Sequence, residues 1–177
     1  MILNAVPITG QFRDMDQVDA LALEAFPPEE YLAPSRMIDM AREDDFDFWA
    51  LYDNDRFVGF MTVKRYQRLT YLFFLAIEPE LRSHGYGGRA IETLKALYPG
   101  SQQVVDFERP DESAVNCGQR ERRRRFYLDN GYRPTGRFLS YLGVDYEIFC
   151  MEEAFDFCTF QKMMSSIKID GFDPRYF

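Results

Sequence analysis

The chain has only one histidine and three cysteines among its 177 residues, which narrows the chemistry open to it. Cys117, Cys150 and Cys158 are odd in number and show no C-x-x-C spacing. We therefore interpret them as reduced thiols and expect a cytoplasmic protein. A single histidine, His84, and scattered cysteines do not supply the ligands of a metal cluster, so no metal site is predicted.

Long apolar runs and an excess of basic residues are also missing. The longest purely apolar stretch, residues 72–77, is far too short to cross a bilayer, and the first residues have no basic segment ahead of an apolar core. We therefore expect neither a membrane segment nor a secretory signal. The net charge of −8 and a pI near 4.7 argue against a nucleic-acid partner and suit cationic partners.

What the sequence does contain is enough apolar material for a folded core. Hydrophobic residues make up 46% and aromatic residues 16% of the chain, a composition that excludes a disordered protein. A chain of 177 residues most simply forms one domain. We predict a single domain over residues 1–177.

The hydrophobic pattern predicts alternating strands and helices with a hairpin near each end. Two aromatic and β-branched runs flank Asp53, which marks a hairpin turn, and "TYLFFLAI" is apolar without alternation, as in a central strand. "QQVVDFE" is the next predicted strand, and "YRPTGRFLSYLG" with "DYEIFCME" a closing hairpin. The predicted helices cover residues 14–26, 35–42, a segment that begins at the glycine-rich loop and is ended by Pro99-Gly100, 119–131 with Gly131 at C′, and about 153–167. This order indicates a mixed sheet.

A glycine-rich loop precedes the third of these helices. It reads Arg82-Ser83-His84-Gly85-Tyr86-Gly87-Gly88. Glycine permits close backbone approach and positive φ, and the first turn of a helix carries unpaired N–H groups that suit an anion such as phosphate. The two common phosphate motifs G-x-x-x-x-G-K-[ST] and G-x-G-x-x-G are absent. A glycine turn that only packs a helix on a strand is the alternative.

The motif R-x-x-G-x-G-G and the order of elements around it resemble the GCN5-related N-acetyltransferase (GNAT) family, from the first strand to about Met151. The resemblance implies an α+β fold with a mixed, mostly antiparallel sheet of about seven strands flanked by helices. It also implies splayed central strands, with the final helix as a C-terminal extension. Acetyl-CoA is then the co-substrate, and its pyrophosphate is held by the loop. The implied cofactor contacts are Ile77, Arg82, Ser83, His84, Gly85, Tyr86, Gly87, Gly88, Arg89 and Asn116.

A second segment, "RRFYLDNGY", resembles the family motif in which a tyrosine protonates the departing thiolate. This implies Tyr127 as general acid; the alternative is a packed core aromatic. Arg120 stands where many members have an asparagine. A base is expected near the acceptor amine, and Glu108 is the candidate, with Asp106 as a second carboxylate. An ordinary strand-end carboxylate is the alternative for Glu108.

Two charged stretches remain. The run Arg122–Arg125 spreads around a helix, so a solvated face is favoured over RNA binding, although some of these arginines could meet the adenosine 3′-phosphate. Residues 29–55 carry nine acids, which either attract a cationic amine or serve solubility.

These observations together predict an N-acetyltransferase. The expected reaction moves acetyl from acetyl-CoA directly to a primary amine of a small molecule, peptide or protein in a ternary complex. A non-catalytic acyl-CoA binding domain and acetylation of aminoacyl-tRNA are the alternatives, and a homodimer is left open.

Overall fold

A computed structural model describes residues 1–43 and 45–177. These residues form five α-helices, eight β-strands and a 3-10 helix at Pro79–Leu81. The helices are α1 (Met15–Ala25), α2 (Pro34–Glu43), α3 (Tyr86–Leu97), α4 (Cys117–Asp129) and α5 (Phe157–Ser165). The strands are β1 (Asn4–Pro7), β2 (Phe46–Asp53), β3 (Arg56–Tyr66), β4 (Leu69–Ile77), β5 (Gln102–Glu108), β6 (Arg133–Tyr141), β7 (Val144–Cys150) and β8 (Arg175–Tyr176).

The strands form one sheet in the order β1-β2-β3-β4-β5-β7-β6-β8. The pairs β1–β2, β2–β3, β5–β7, β6–β7 and β6–β8 are antiparallel, whereas β4 and β5 are parallel. The predicted α+β fold with a mixed, mostly antiparallel sheet is confirmed. The sheet has eight strands, in agreement with the prediction of about seven. The two-residue strand β8 leaves no alternation to detect in the sequence.

Parallel pairing between β4 and β5 is short. It joins Leu69 to Gln102, Thr70 to Gln103 and Tyr71 to Val104. Both strands continue beyond this point, β4 to Ile77 and β5 to Glu108. The parallel register therefore covers three residue pairs.

The chain divides into two compact units. The first unit comprises Met1–Arg65 and Leu72–Gly100, and its core lies between α1, α2 and the sheet. Val18 and Leu21 of α1 and Met37 of α2 are buried in one cluster with Phe48 and Phe60 of the strands. The helical spacing of these apolar positions in the sequence explains why both helices bury one face.

The second unit comprises Tyr66–Tyr71 and Ser101–Phe177. Its part of the sheet has α4 on one face, where Tyr127 stacks on Phe107 of β5 with ring centroids 5.1 Å apart. The other face packs against α5, where the Phe160 ring lies 5.9 Å from that of Tyr71. Strand alternation places Asp106 on the face opposite Phe107.

Helix ends follow local signals. Gly131 has φ 92° directly after the C-cap residue Asn130 of α4, which agrees with its predicted C′ position. The final helix is shorter than predicted: Asp156 is its N-cap and accepts a hydrogen bond from the Thr159 N–H. The residues before Asp156 are therefore outside the helix.

Strand β3 contains a β-bulge in its pairing with β2 and, at Gly59, lies unusually close to β4. Leu51 lies opposite Gly59 and Tyr52 opposite Phe57, so Val58 is the extra residue. A Cβ atom built on Gly59 would lie 2.0 Å from the carbonyl oxygen of Ala76. Only glycine fits at this position without a shift of the backbone.

Replacing Gly59 with Ala should lower the free energy of unfolding by about 1–3 kcal/mol or more, because the new methyl group overlaps a backbone carbonyl. Urea unfolding measures the change. Gly118→Ala is the matched control: its Cβ would meet the Arg122 Nη1 atom at an ordinary 3.5 Å. That variant should be neutral or stabilised by about 0.5–1 kcal/mol, and equal stabilities of the two variants would contradict the prediction.

Candidate active site

The glycine-rich loop leads directly into the N-terminus of α3. Ser83 has φ 63° and Gly85 has φ 82°, so two left-handed residues turn the chain before the helix begins. The first α3 hydrogen bond runs from the Arg89 N–H to the Gly85 carbonyl. The N–H groups of residues 86–88 have no acceptor within the helix, and the first turn contains no acidic residue. This arrangement suits an anion.

Arg82 is held by carboxylate and backbone oxygens. Its Nε donates to the carbonyl oxygen of Ile77 at 2.9 Å, and its guanidinium makes a two-point contact with Glu24 of α1. The Nδ1 atom of His84 lies 2.7 Å from the carbonyl oxygen of Arg82. In this structure, Arg82 and His84 therefore stabilise the loop through contacts within the protein. Phosphate binding by Arg82 stays a prediction.

Arg89 forms a second such pair on the first turn of α3. Its Nη1 and Nη2 atoms lie 2.7 and 2.9 Å from the two carboxylate oxygens of Asp53, which also accepts a hydrogen bond from the Tyr86 hydroxyl at 3.0 Å. The Arg89 guanidinium lies over the Tyr86 ring. Hydrogen bonding by Arg89 lowers the pKa of Asp53 to about 2. Asp53 therefore remains charged at neutral pH and anchors the β2–β3 turn to α3.

The second unit contains the other predicted site residues. Tyr127 is buried in α4 against Phe107, Phe126 and Tyr132. Burial raises the pKa of Tyr127 to about 12. Its phenol is therefore protonated at every ordinary working pH, as a proton donor must be.

Glu108 is bound by three residues that precede or belong to α4. Oε1 lies 3.1 Å from Arg120 Nη2, while Oε2 accepts from Asn116 Nδ2 at 3.1 Å and lies 3.6 Å from Arg123 Nη1. Asn116 also accepts a hydrogen bond from Arg120 Nε at 2.8 Å. The predicted base and the predicted cofactor contact Asn116 thus belong to one network.

The arginine run is only partly a solvated face. Arg123 pairs with Glu108, and Arg124 Nε lies 3.0 Å from Glu147 Oε2. Arg122 and Arg125 are exposed and line an open groove of about 820 Å³. Successive residues of a helix point to different faces. This explains why two of these arginines form ion pairs and the other two are exposed.

The acidic stretch of residues 29–55 is also partly neutralised. Asp39, Asp47 and Asp53 pair with Arg42, Arg65 and Arg89, and Asp44 lies outside the described residues. Attraction of a cationic amine by this stretch stays a prediction.

Two sets of partners could not be recognised from the sequence. Glu24 and Asp53 are far from the loop in sequence, and only the fold brings them to Arg82 and Arg89. The other set is Asp106 with Tyr71, whose hydroxyl donates to Asp106 Oδ1 at 2.6 Å. The sequence does offer a signal for Asp106 itself, because a carboxylate stands there between two apolar residues of a predicted strand.

Each predicted residue can be assigned to one unit. Ile77 and residues 82–89 are in the first unit, while Glu108, Asn116 and Tyr127 are in the second. Among the described residues there is no group of three or more His, Cys, Asp or Glu side chains that could hold a metal ion. None of the helices described is long and apolar enough to cross a membrane.

Comparison with known proteins identifies the segment that carries the loop. Residues 13–132 match the model of the acetyltransferase (GNAT) family. A search of curated proteins found no match to the sequence.

Solved structures extend the likeness to nearly the whole chain. A GNAT-family protein from Bacteroides thetaiotaomicron is 24% identical, with a TM-score of 0.72 over 90% of this chain and 93% of that one. An aminoglycoside 6′-N-acetyltransferase complexed with coenzyme A is 19% identical, with a TM-score of 0.64 over 86% and 99%. The ribosomal-protein-S18-alanine N-acetyltransferase of Escherichia coli is 13% identical, with a TM-score of 0.59 over 88% and 98%.

Proposed function

Because this chain belongs to the GNAT family of acetyltransferases, we propose that it transfers acetyl from acetyl-CoA to a primary amine in a ternary complex. The observation that carries the proposal is the glycine-rich loop at the N-terminus of α3. Its left-handed Ser83 and Gly85 turn the backbone into the helix, and three N–H groups there lack a helical acceptor. The pyrophosphate of coenzyme A is the ligand that fits this loop in a chain of this family.

The residues of the second unit receive the following roles in the proposal. The amine attacks the thioester carbonyl, the carbon–sulfur bond breaks, and Tyr127 Oη donates its proton to the departing thiolate. The high pKa of the phenol keeps that proton in place until sulfur needs it. Glu108 holds Asn116, Arg120 and Arg123 in position, and a proton leaves the amine through Glu108 or water.

Thiol release from acetyl-CoA, measured with a panel of amines, tests the proposal. The panel contains an aminoglycoside, spermidine, 2-phenylethylamine and a peptide with a free N-terminus, and acetyl-CoA alone measures hydrolysis. We expect at least one amine to raise thiol release well above hydrolysis. Binding of coenzyme A without turnover of any amine would indicate an acyl-CoA binding domain, and no binding would reject the proposed function.

The Glu24–Arg82 ion pair leads to a prediction about the affinity for coenzyme A. Glu24→Gln removes the charge that holds Arg82, so coenzyme A should bind about 1.4- to fivefold more tightly. This range corresponds to the roughly 0.2–1 kcal/mol of an exposed ion pair. Calorimetric titration with coenzyme A measures the effect.

Glu92→Gln is the matched control for Glu24→Gln. Glu92 pairs with Lys95 on the exposed side of the same helix that follows the loop, so its loss removes one negative charge without releasing Arg82. Its coenzyme A affinity should match the wild type. A similar gain in both variants would show that net charge, and not release of Arg82, causes the change.

A further inference from the structure

The four successive arginines of α4 divide into two pairs with different surroundings. Arg123 and Arg124 form ion pairs with carboxylates of β5 and β7. Arg122 and Arg125 are exposed, and neither has a hydrogen bond, an ion pair or a ring contact in the part of the chain that the structure describes. Two guanidinium groups therefore remain without an internal partner, and the proposed acetyl transfer uses neither of them.

Both exposed arginines lie on the side of α4 that is turned away from the sheet. Gly118, Arg122 and Arg125 follow one another at intervals of four and three residues, so they share one side of the helix. Tyr127, which stacks on Phe107 of β5, comes two residues after Arg125. At about 3.6 residues per turn, it lies roughly half a turn away, on the opposite side of α4. The surface is therefore separate from the residue that we assign as general acid.

A groove of about 820 Å³ lies at this side of α4. Three arginines line it, Arg122, Arg124 and Arg125, against a single carboxylate, Glu121, among the residues that the structure describes. We call it the arginine groove. Its excess of positive charge stands out on a chain whose net charge is −8.

The arginine groove also offers apolar contact. Leu128 lines it about one turn after Arg125, and 37% of this side chain is exposed. Gly118 lines it as well, where a Cβ atom would lie 3.5 Å from the Arg122 Nη1 atom. With no side chain at Gly118, the helix backbone is accessible beside that guanidinium. The groove thus combines unpartnered positive charge with an apolar side chain.

An acidic protein segment fits this combination better than a nucleic acid does. Guanidinium groups form two-point hydrogen bonds with carboxylates, and clusters of arginines recognise acidic motifs. An apolar residue of the same segment can contact Leu128. A nucleic acid instead carries a phosphate at every step, and its backbone would meet the exposed carboxylates of Glu121 and Asp129 on the same helix.

We propose that the arginine groove is a docking site for an acidic segment of a partner protein. Carboxylates of the segment bind Arg122 and Arg125, and an apolar side chain packs on Leu128. The inference goes beyond the acetyltransferase reaction and does not depend on it, because the groove and Tyr127 lie on opposite sides of α4.

Fluorescence anisotropy with labelled peptides tests the docking site without turnover. The probe is a short peptide of glutamate and leucine, capped at both ends so that it offers no acceptor amine. The wild type should bind it at least about tenfold more tightly than the same peptide with glutamine in place of glutamate. Its affinity should fall as salt rises, since salt screens exposed charges. Equal binding of the two peptides, or no binding of the glutamate peptide, would overturn the proposal.

Variants then locate the binding. The double variant Arg122→Gln/Arg125→Gln should bind the glutamate–leucine peptide about tenfold or more weakly, the scale for loss of central interface arginines. Its thermal midpoint should hardly change, because both side chains are exposed. Leu128→Ala should weaken the glutamate–leucine peptide more than a glutamate–serine peptide.

Arg68→Gln/Arg133→Gln is the matched control for the double variant. Both arginines are exposed residues of the second unit and lie outside the groove, so the control removes the same charge elsewhere. It should keep most of the wild-type affinity. Equal losses in the two double variants would show that net charge causes the binding and would overturn the proposal.

Two further titrations test the other uses of these arginines. If single-stranded oligouridylate binds more tightly than the glutamate–leucine peptide and depends on Arg122 and Arg125, the groove belongs to a nucleic acid and the proposal is overturned. If Arg122→Gln/Arg125→Gln loses affinity for coenzyme A, the arginines contact the cofactor and the proposal is overturned as well. Lost peptide binding with unchanged coenzyme A affinity is the result we expect. None of these results bears on amine turnover, which tests the transferase proposal separately.

Discussion

Replacing Gly87 with Asp should weaken coenzyme A binding roughly 100-fold or more, because like charges placed together cost several kcal/mol. Gly87 is the second residue of α3 and provides one of the N–H groups without a helical acceptor. A carboxylate here would stand where the backbone must approach the pyrophosphate. Calorimetric titration with coenzyme A measures the loss.

The substitution should not unfold the protein. An acidic side chain in the first turn of a helix interacts favourably with the helix dipole, by about 0.3–1 kcal/mol. The thermal midpoint should therefore be unchanged or slightly higher, which makes a loss of binding attributable to the site. Gly87→Ala is the control that separates charge from volume and should lose far less affinity. Full affinity in a folded Gly87→Asp protein would place the coenzyme A site elsewhere.

Replacing Tyr127 with Phe should lower kcat by roughly 10- to 1,000-fold, the scale of a general-acid contribution. The ring that stacks on Phe107 is retained, so coenzyme A affinity and stability should change little. Turnover of an accepted amine under conditions where chemistry limits the rate measures the effect. With the pKa of Tyr127 at about 12, the wild-type rate should show no loss of this acid between pH 7 and 10.

Tyr132→Phe is the matched control for Tyr127→Phe. Tyr132 is buried in the same aromatic cluster, with its ring centroid 5.3 Å from that of Tyr127, and burial raises its pKa well above the ordinary value. Loss of its hydroxyl should leave kcat within a few-fold of the wild type. Equal decreases in the two variants would reduce Tyr127 to a packing residue.

Much of the fold was predictable because its signals are local. Apolar spacing predicts α1 and α2, glycine and charge predict the turn before α3, and Gly131 marks the end of α4. The strand β8 was missed because its two residues are ordered by pairing with β6 and not by their own pattern. The bulge at Val58 was equally hidden, since it is a feature of the pairing between β2 and β3 and has no local pattern.

The candidate site was predictable to a smaller extent. A motif located the loop and Tyr127, but the partners of Arg82 and Arg89 lie far away in sequence, so only the fold shows that carboxylates hold both side chains. Glu108 illustrates the same limit. Its place at the end of β5 followed from the strand pattern, whereas its three partners around α4 depend on tertiary structure.

The short strand β8 has a consequence for how copies of this chain could associate. An edge strand with unpaired N–H and C=O groups is a template for another chain. The edge of β6 is partly paired with the C-terminal residues of the same chain. Leu139 and Ser140 pair with Tyr176 and Arg175. Phe138 exchanges backbone hydrogen bonds with Phe177 at 3.0 and 3.1 Å. Continuation of the sheet into a neighbouring molecule through this stretch is therefore blocked. A homodimer that continues the sheet would instead use β1, the outer side of β8, or the part of β6 that β8 does not cover.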